Sequence, residues 1–263
     1  MAEKVGDCHM SDRTLKELIN AQFPPVENII GSGILRTKGI MVLYGEPGVG
    51  KSWLAAEAGL SISTGKKWLV YPTKMCKVIL IDCENPEEES QIRWRELESA
   101  RGLSLNGNMR HVAEEDIKID TSNGIGRIEE LIQKHQAKVV ILDNMYKMTR
   151  GDLTRNRDAN ILIDGINSLR DKYGVTFIIV HHPHQPTLAG YSGRRVTLGQ
   201  FEMFGSSFLN NWPDTILEVK LEEEGSDNVI VTMQKHRRTR YPAVTRTYTF
   251  DRHTKEFKLD LRM

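Results

Sequence analysis

Short apolar runs rich in valine and isoleucine alternate along the chain with longer stretches whose apolar residues recur at helical spacing. Runs of that kind are strands covered on both faces by crossover helices, so the pattern predicts an α/β fold on a mainly parallel sheet. The runs are Ile40 to Tyr44, Val78 to Asp82, Val139 to Asp143 and Val175 to Val180, and the helical stretches lie near 51–64, 87–101, 124–136 and 158–173. From about Asp214 the pattern changes to ILEVKL, VIVTMQK and TRTYTF, with polar turns such as Glu224-Gly225-Ser226-Asp227 between them. That predicts antiparallel strands added to one side of the sheet. An amphipathic helix, roughly Asp12 to Phe23, precedes the first strand and stops at Pro24-Pro25. The expected division is an N-terminal helical segment over 1–35, packed on its own domain or on a neighbour, and one α/β domain over 36–263. Two polar loops are long for such a domain, Tyr146 to Asn156 and Pro183 to Phe204.

Composition adds little to the fold but narrows the class. Hydrophobic residues make up 39% and charged residues 27% of 263, which is globular and far from a disordered or disulfide-rich chain. The net charge of +1 means that a nucleic-acid partner has to be held by a local basic patch. Cys8, Cys76 and Cys83 form no CxxC pair, so free thiols are expected. No stretch approaches the roughly 18 apolar residues of a membrane span, and the first residues lack the apolar centre of a signal peptide. A cytoplasmic protein with no membrane partner is the expectation.

The strongest chemical signal is Gly45-Glu46-Pro47-Gly48-Val49-Gly50-Lys51-Ser52, which fits G-x-x-x-x-G-K-[ST], follows an apolar strand and opens a helix. Glycines allow backbone N–H groups to turn around a polyphosphate, Lys51 neutralises its oxygens and Ser52 ligates Mg²⁺, with Trp53 next in line. ATP and Mg²⁺ are the expected cofactors. Such a loop needs a further acid for the metal at the end of a buried strand beside its own, and Asp143, which closes Val-Val-Ile-Leu-Asp, fits. The competing reading of Asp143 is a turn cap. The residue after Asp143 is Asn144 and not Glu, which argues against the AAA+ placement of the catalytic acid. Glu84, just beyond Val-Ile-Leu-Ile-Asp, is the expected catalytic carboxylate instead, with Asp82 as a structural or supporting neighbour.

The ordered set of motifs resembles RecA-fold ATPases, in particular RepA-type and DnaB-type hexameric replicative helicases. It comprises GEPGVGKS at 45–52, Ile81-Asp82-Cys83-Glu84, Val139 to Asp143, Phe177 to Pro183, Gly205-Ser206-Ser207 with Trp212-Pro213-Asp214, and Lys235-His236-Arg237. The resemblance implies a RecA-like three-layer fold over about Ile29 to Leu259. It implies DNA-coupled ATP hydrolysis in a ring, with single-stranded DNA and a replication or loader protein as partners. His182 is then a neutral sensor near the γ-phosphate, although Gln185 stands where the RepA type carries Lys. A metal site among His181, His182 and His184 is the lesser alternative. Lys235 and Arg237 would act on the neighbouring subunit's nucleotide, with Arg238 and Arg240 as nearby substitutes; a solvated basic strand end is the competing reading. DNA contacts fall on Arg150, Arg155 and Arg157 in one loop and on Tyr191, Arg194 and Arg195 in the other, or those arginines are ordinary surface charge. A KaiC-like regulatory or loader ATPase, which switches association without unwinding, is the second functional reading.

Overall fold

The computed structural model describes residues 12–23, 25–101, 107–114, 116–182, 207–237, 245–251 and 253–260. The calls that fall on Cys8, His184, Gln185, Tyr191, Arg194, Arg195, Gly205, Ser206, Arg238 and Arg240, and on the loop from Pro183 to Phe204, lie outside them. Helix α1 (Leu15–Asn20) is followed by the short strands β1 (Asn28–Ile30) and β2 (Leu35–Arg36). The alternating region then runs β3 (Ile40–Tyr44), α2 (Lys51–Thr64), β4 (Val78–Asp82), α3 (Glu87–Arg101), β5 (Met109–Ala113), α4 (Ser122–His135), β6 (Val139–Asp143), α5 (Asn156–Tyr173) and β7 (Thr176–His181). Helix α6 (Ser207–Asn211) leads into β8 (Thr215–Leu221), β9 (Asn228–His236), β10 (Thr245–Asp251) and β11 (Glu256–Leu259).

Among the described residues a nine-stranded sheet carries the fold, in the order β11-β10-β9-β8-β3-β7-β6-β4-β5. Every residue of β3, β4, β6 and β7 is buried, which is why these strands read as unbroken apolar runs. The two faces have separate cores, one containing Val42, Ile128, Val140 and Leu162 and the other Met41, Leu54, Val139 and Trp68. The parallel strands are in register, with Tyr44 opposite His181 and Asp82 opposite Asp143, so their carboxyl ends form one edge.

One expectation is refined and another corrected. ILEVKL is β8, which pairs antiparallel with β9 as expected but parallel with β3 on its other side, so the change from parallel to antiparallel pairing falls at this strand. Asp143 does not close a strand beside the P-loop strand, because β7 lies between β3 and β6. Sequence order cannot show such an insertion, since β7 follows β6 in the chain yet pairs on the other side. At the N-terminus, Ile29, Ile30, Ile34 and Leu35 are buried in the second core, while Leu15, Ile19 and Phe23 are exposed.

Candidate nucleotide site at the carboxyl edge

The P-loop joins the carboxyl end of β3 to the first turn of α2. Two of its glycines answer to geometry. Gly45 passes so near β8 that a Cβ would meet the Val219 carbonyl oxygen at 2.0 Å. Gly50 is the N-cap of α2 at φ 94°, a left-handed conformation that a side chain resists. Among the described residues no side chain caps that helix start, so its first N–H groups and positive dipole end are open to an anion. Glu46, Pro47 and Gly48 are exposed at the tip, and Val49 turns inward to anchor the loop in the core.

Lys51 lies beneath this turn at 3% exposure, and its Nζ donates to the Glu46 carbonyl at 2.6 Å. Burial pushes its pKa down to about 8 against the pull of Asp143, Glu84 and Glu46. It is still mainly an ammonium at neutral pH, and its partner is a neutral carbonyl that phosphate oxygens would displace. Ser52 Oγ donates to Asp143 Oδ1 at 3.2 Å, so α2 carries the serine across β7 to the end of β6. Asp143 is 1% exposed, and its pKa is pushed up to about 7 by burial first and then by the charge of Asp82. The Ser52 hydrogen bond only partly offsets this. A buried carboxylate beside like charges and a hydroxyl fits a hard divalent cation carried in with a polyphosphate. Among the described residues no group of three or more His, Cys, Asp or Glu is placed to hold a metal; His184, the third member of the histidine alternative, lies outside them.

Glu84 follows β4 with its side chain 41% exposed, and its Oε2 accepts from Asn144 Nδ2 at 2.7 Å. His182 Nε2 is 3.8 Å from the same oxygen. Burial and the Lys51 charge hold the His182 pKa below its ordinary value despite Glu84, so the ring is neutral at pH 7. Asp82 behaves differently. Its Oδ1 accepts from the backbone N–H of Glu84 at 2.9 Å and of Asn85 at 3.0 Å, and its Oδ2 from Ser90 Oγ at 3.2 Å. It builds the turn that presents Glu84.

The remaining expected residues are dispersed. Trp53 has Arg93 and Lys255 at 5.2 and 5.1 Å from its ring centroid and Phe250 at 6.1 Å, so it joins α2 to α3 and to the β10–β11 turn. Arg150, Arg155 and Arg157 are exposed beyond β6, on the same sheet edge as the P-loop. Lys235 pairs with Ile216, which is level with Val42 in the middle of β3, and its side chain runs toward the opposite edge, where α6 ends. There its Nζ donates to the Asn210 and Asn211 carbonyls at 2.9 and 2.7 Å, and Arg237 also donates to Asn211 O. Burial and Arg237 push the Lys235 pKa down to about 8. Asn144, noted in the sequence only for not being glutamate, sits inside the site at 2% exposure. No local pattern marks it, because its partner Glu84 is 60 residues away.

A P-loop on a RecA-like sheet, with its acid at the end of β6 and a second carboxylate beyond β4, defines a RecA-fold P-loop ATPase. The chain matches the family model described as AAA domain over residues 8–187 and belongs to that family. Comparison with curated proteins found no match. Among solved structures, the KaiC-like protein PH0186 from the hyperthermophilic archaeon Pyrococcus horikoshii OT3 is similar at TM-score 0.61 and 14% identity, over 90% of this chain and 100% of that one. The ATPase domain of G40p is similar at TM-score 0.62 and 14% identity, over 88% and 92%. At such identity these two likenesses establish the fold.

Proposed function

We propose that the protein hydrolyses ATP with Mg²⁺ in a ring of identical subunits, a hexamer, and uses hydrolysis to move on and unwind DNA. The observation that carries the ATPase part is the convergence of Lys51, Ser52, Asp143 and Glu84 on one sheet edge. Bound Mg²⁺ would supply charge neutralisation at the β and γ oxygens, held by Ser52 and, through water, Asp143. The P-loop amides and Lys51 bind the phosphates, Glu84 orients and deprotonates the attacking water, and neutral His182 donates a hydrogen bond toward the γ-phosphate.

The ring reading is supported by the position of Lys235 and Arg237. They lie at the end of β9, two strands from β3, with Lys235 level with Val42 and so about 10 Å along the strand direction from Gly45, and both side chains reach α6 carbonyls on the side of the sheet away from the P-loop, an arrangement that suits contact with a neighbouring subunit's phosphates. The exposed apolar residues of α1 offer a second contact between subunits. Arg150, Arg155 and Arg157, with Arg194 and Arg195, would face single-stranded DNA in the pore.

The test combines complementation with DNA. Lys51→Ala and Arg237→Ala should each lack ATPase activity, the second while still binding ATP, and mixing them should restore turnover at interfaces pairing an intact P-loop with an intact Arg237. A monomeric wild type with full activity would overturn the ring. Single-stranded DNA should raise turnover, and a forked duplex should be unwound. DNA-independent turnover with nucleotide-dependent capture of a loader or replication protein would favour the switch reading, which the KaiC-like neighbour also suits.

A further inference from the structure

We infer that Asn144 is a positioning residue that fixes Glu84 and couples it to the loop at 145–151. The inference rests on the ATPase reading, with Glu84 as the group that handles water. Both ends of the Asn144 amide are engaged: Nδ2 donates to Glu84 Oε2 at 2.7 Å, and Oδ1 accepts the Lys147 backbone N–H at 3.1 Å. The orientation of the amide follows from chemistry, because an ionised carboxylate only accepts and a peptide N–H only donates. Among the described residues Asn144 supplies the hydrogen bond that holds the Glu84 carboxylate, and His182 at 3.8 Å is beyond hydrogen-bond distance.

The other end of this bridge is stiff. Asp120 Oδ2 accepts from Thr149 Oγ1 at 2.9 Å and from the backbone N–H groups of Arg150 and Gly151 at 2.7 and 2.8 Å. Lys118 Nζ donates to the Lys147 carbonyl at 2.6 Å, and the Ile119 N–H donates to the Met148 carbonyl at 2.7 Å. Met145 and Met148 are fully buried, while Tyr146 is 61% exposed. The loop therefore has a clamped inner side and an outward face on which a ligand could push. A shift of Lys147 moves the acceptor end of Asn144, and the rigid amide passes that displacement to Glu84. In the opposite direction, a nucleotide that draws Glu84 inward pulls on the loop.

Asn144→Ala should lower kcat for ATP about tenfold with KM changed less than twofold. In amide hydrogen exchange, a magnesium complex of a non-hydrolysable ATP analogue should change exchange across 145–151 several-fold in the wild type and not in Asn144→Ala. An unchanged kcat, or the same exchange response in both proteins, would overturn the inference. Should Asn144→Ala fail to fold, Asp120→Asn loosens the clamp from outside the site. It should speed exchange at 147–151 and lower kcat about threefold at constant KM, and a loosened loop with unchanged kcat would overturn the coupling. A wild type that hydrolyses no ATP is a different result: it would refute the ATPase reading, while the exchange comparison would still test the bridge.

Discussion

Asp82 and Asp143 stand opposite each other at the ends of adjacent parallel strands, and both are 1% exposed. Their surroundings differ in one respect. Asp82 accepts from two backbone N–H groups, the Asn85 amide and Ser90 Oγ, so the protein itself supplies what water would have given. Among the described residues the Asp143 carboxylate takes one hydrogen bond, from Ser52, and it faces the charges of Asp82 and Glu84. One aspartate completes a turn and the other is left short of positive charge. Burial alone does not make a site; burial without compensation does.

The largest effect should come from Asp143→Ala, which ought to lower Mg²⁺-dependent ATP turnover on the order of 10³-fold. Turnover above one tenth of wild type would remove Asp143 from the metal site. A smaller effect follows from the sign of the Asp143 shift. Its folded pKa, about 7, lies above the unfolded value, so this group's contribution to stability is full below about pH 4 and is lost as pH rises through 7. Nucleotide-free wild type should therefore lose on the order of 4 kcal/mol from this group across that window. Asp143→Asn should lack this component, as read by urea unfolding at pH 4 and pH 7.5; parallel pH profiles would contradict the assignment.

Asp82→Ala should instead unfold more easily by about 3 kcal/mol, because it strands two backbone N–H groups and a buried hydroxyl. If Asp82→Ala kept its stability, the distinction between the two aspartates would collapse. The mildest change is Ser90→Ala, which deletes one of the donors to Asp82 and should cost about 1 kcal/mol in thermal unfolding while leaving ATP turnover unaltered.

The parallel strands were legible in the sequence because burial on both faces writes itself as an apolar run, and β3, β4 and β6 begin and end where the pattern says. Strand β5, Met-Arg-His-Val-Ala, was not, since it pairs only with β4 at the edge of the sheet and is half polar. The P-loop was legible because its glycine requirements are local. Placement of the acid strand was not, because the order of strands in the sheet depends on crossovers that the one-dimensional pattern omits. The same holds for Asn144 and for the turn built by Asp82: their bonds join strand ends, and no spacing rule records which ends will meet.

The account depends on Glu84 acting on water at a nucleotide that Lys51, Ser52 and Asp143 hold. Glu84→Gln keeps the shape of the side chain and removes its charge, so ATP binding and single-turnover hydrolysis in the same preparation test that dependence directly. Wild-type affinity for Mg²⁺–ATP with hydrolysis slowed at least 100-fold is the predicted result. Hydrolysis at the wild-type rate with affinity intact would show that the catalytic carboxylate lies elsewhere.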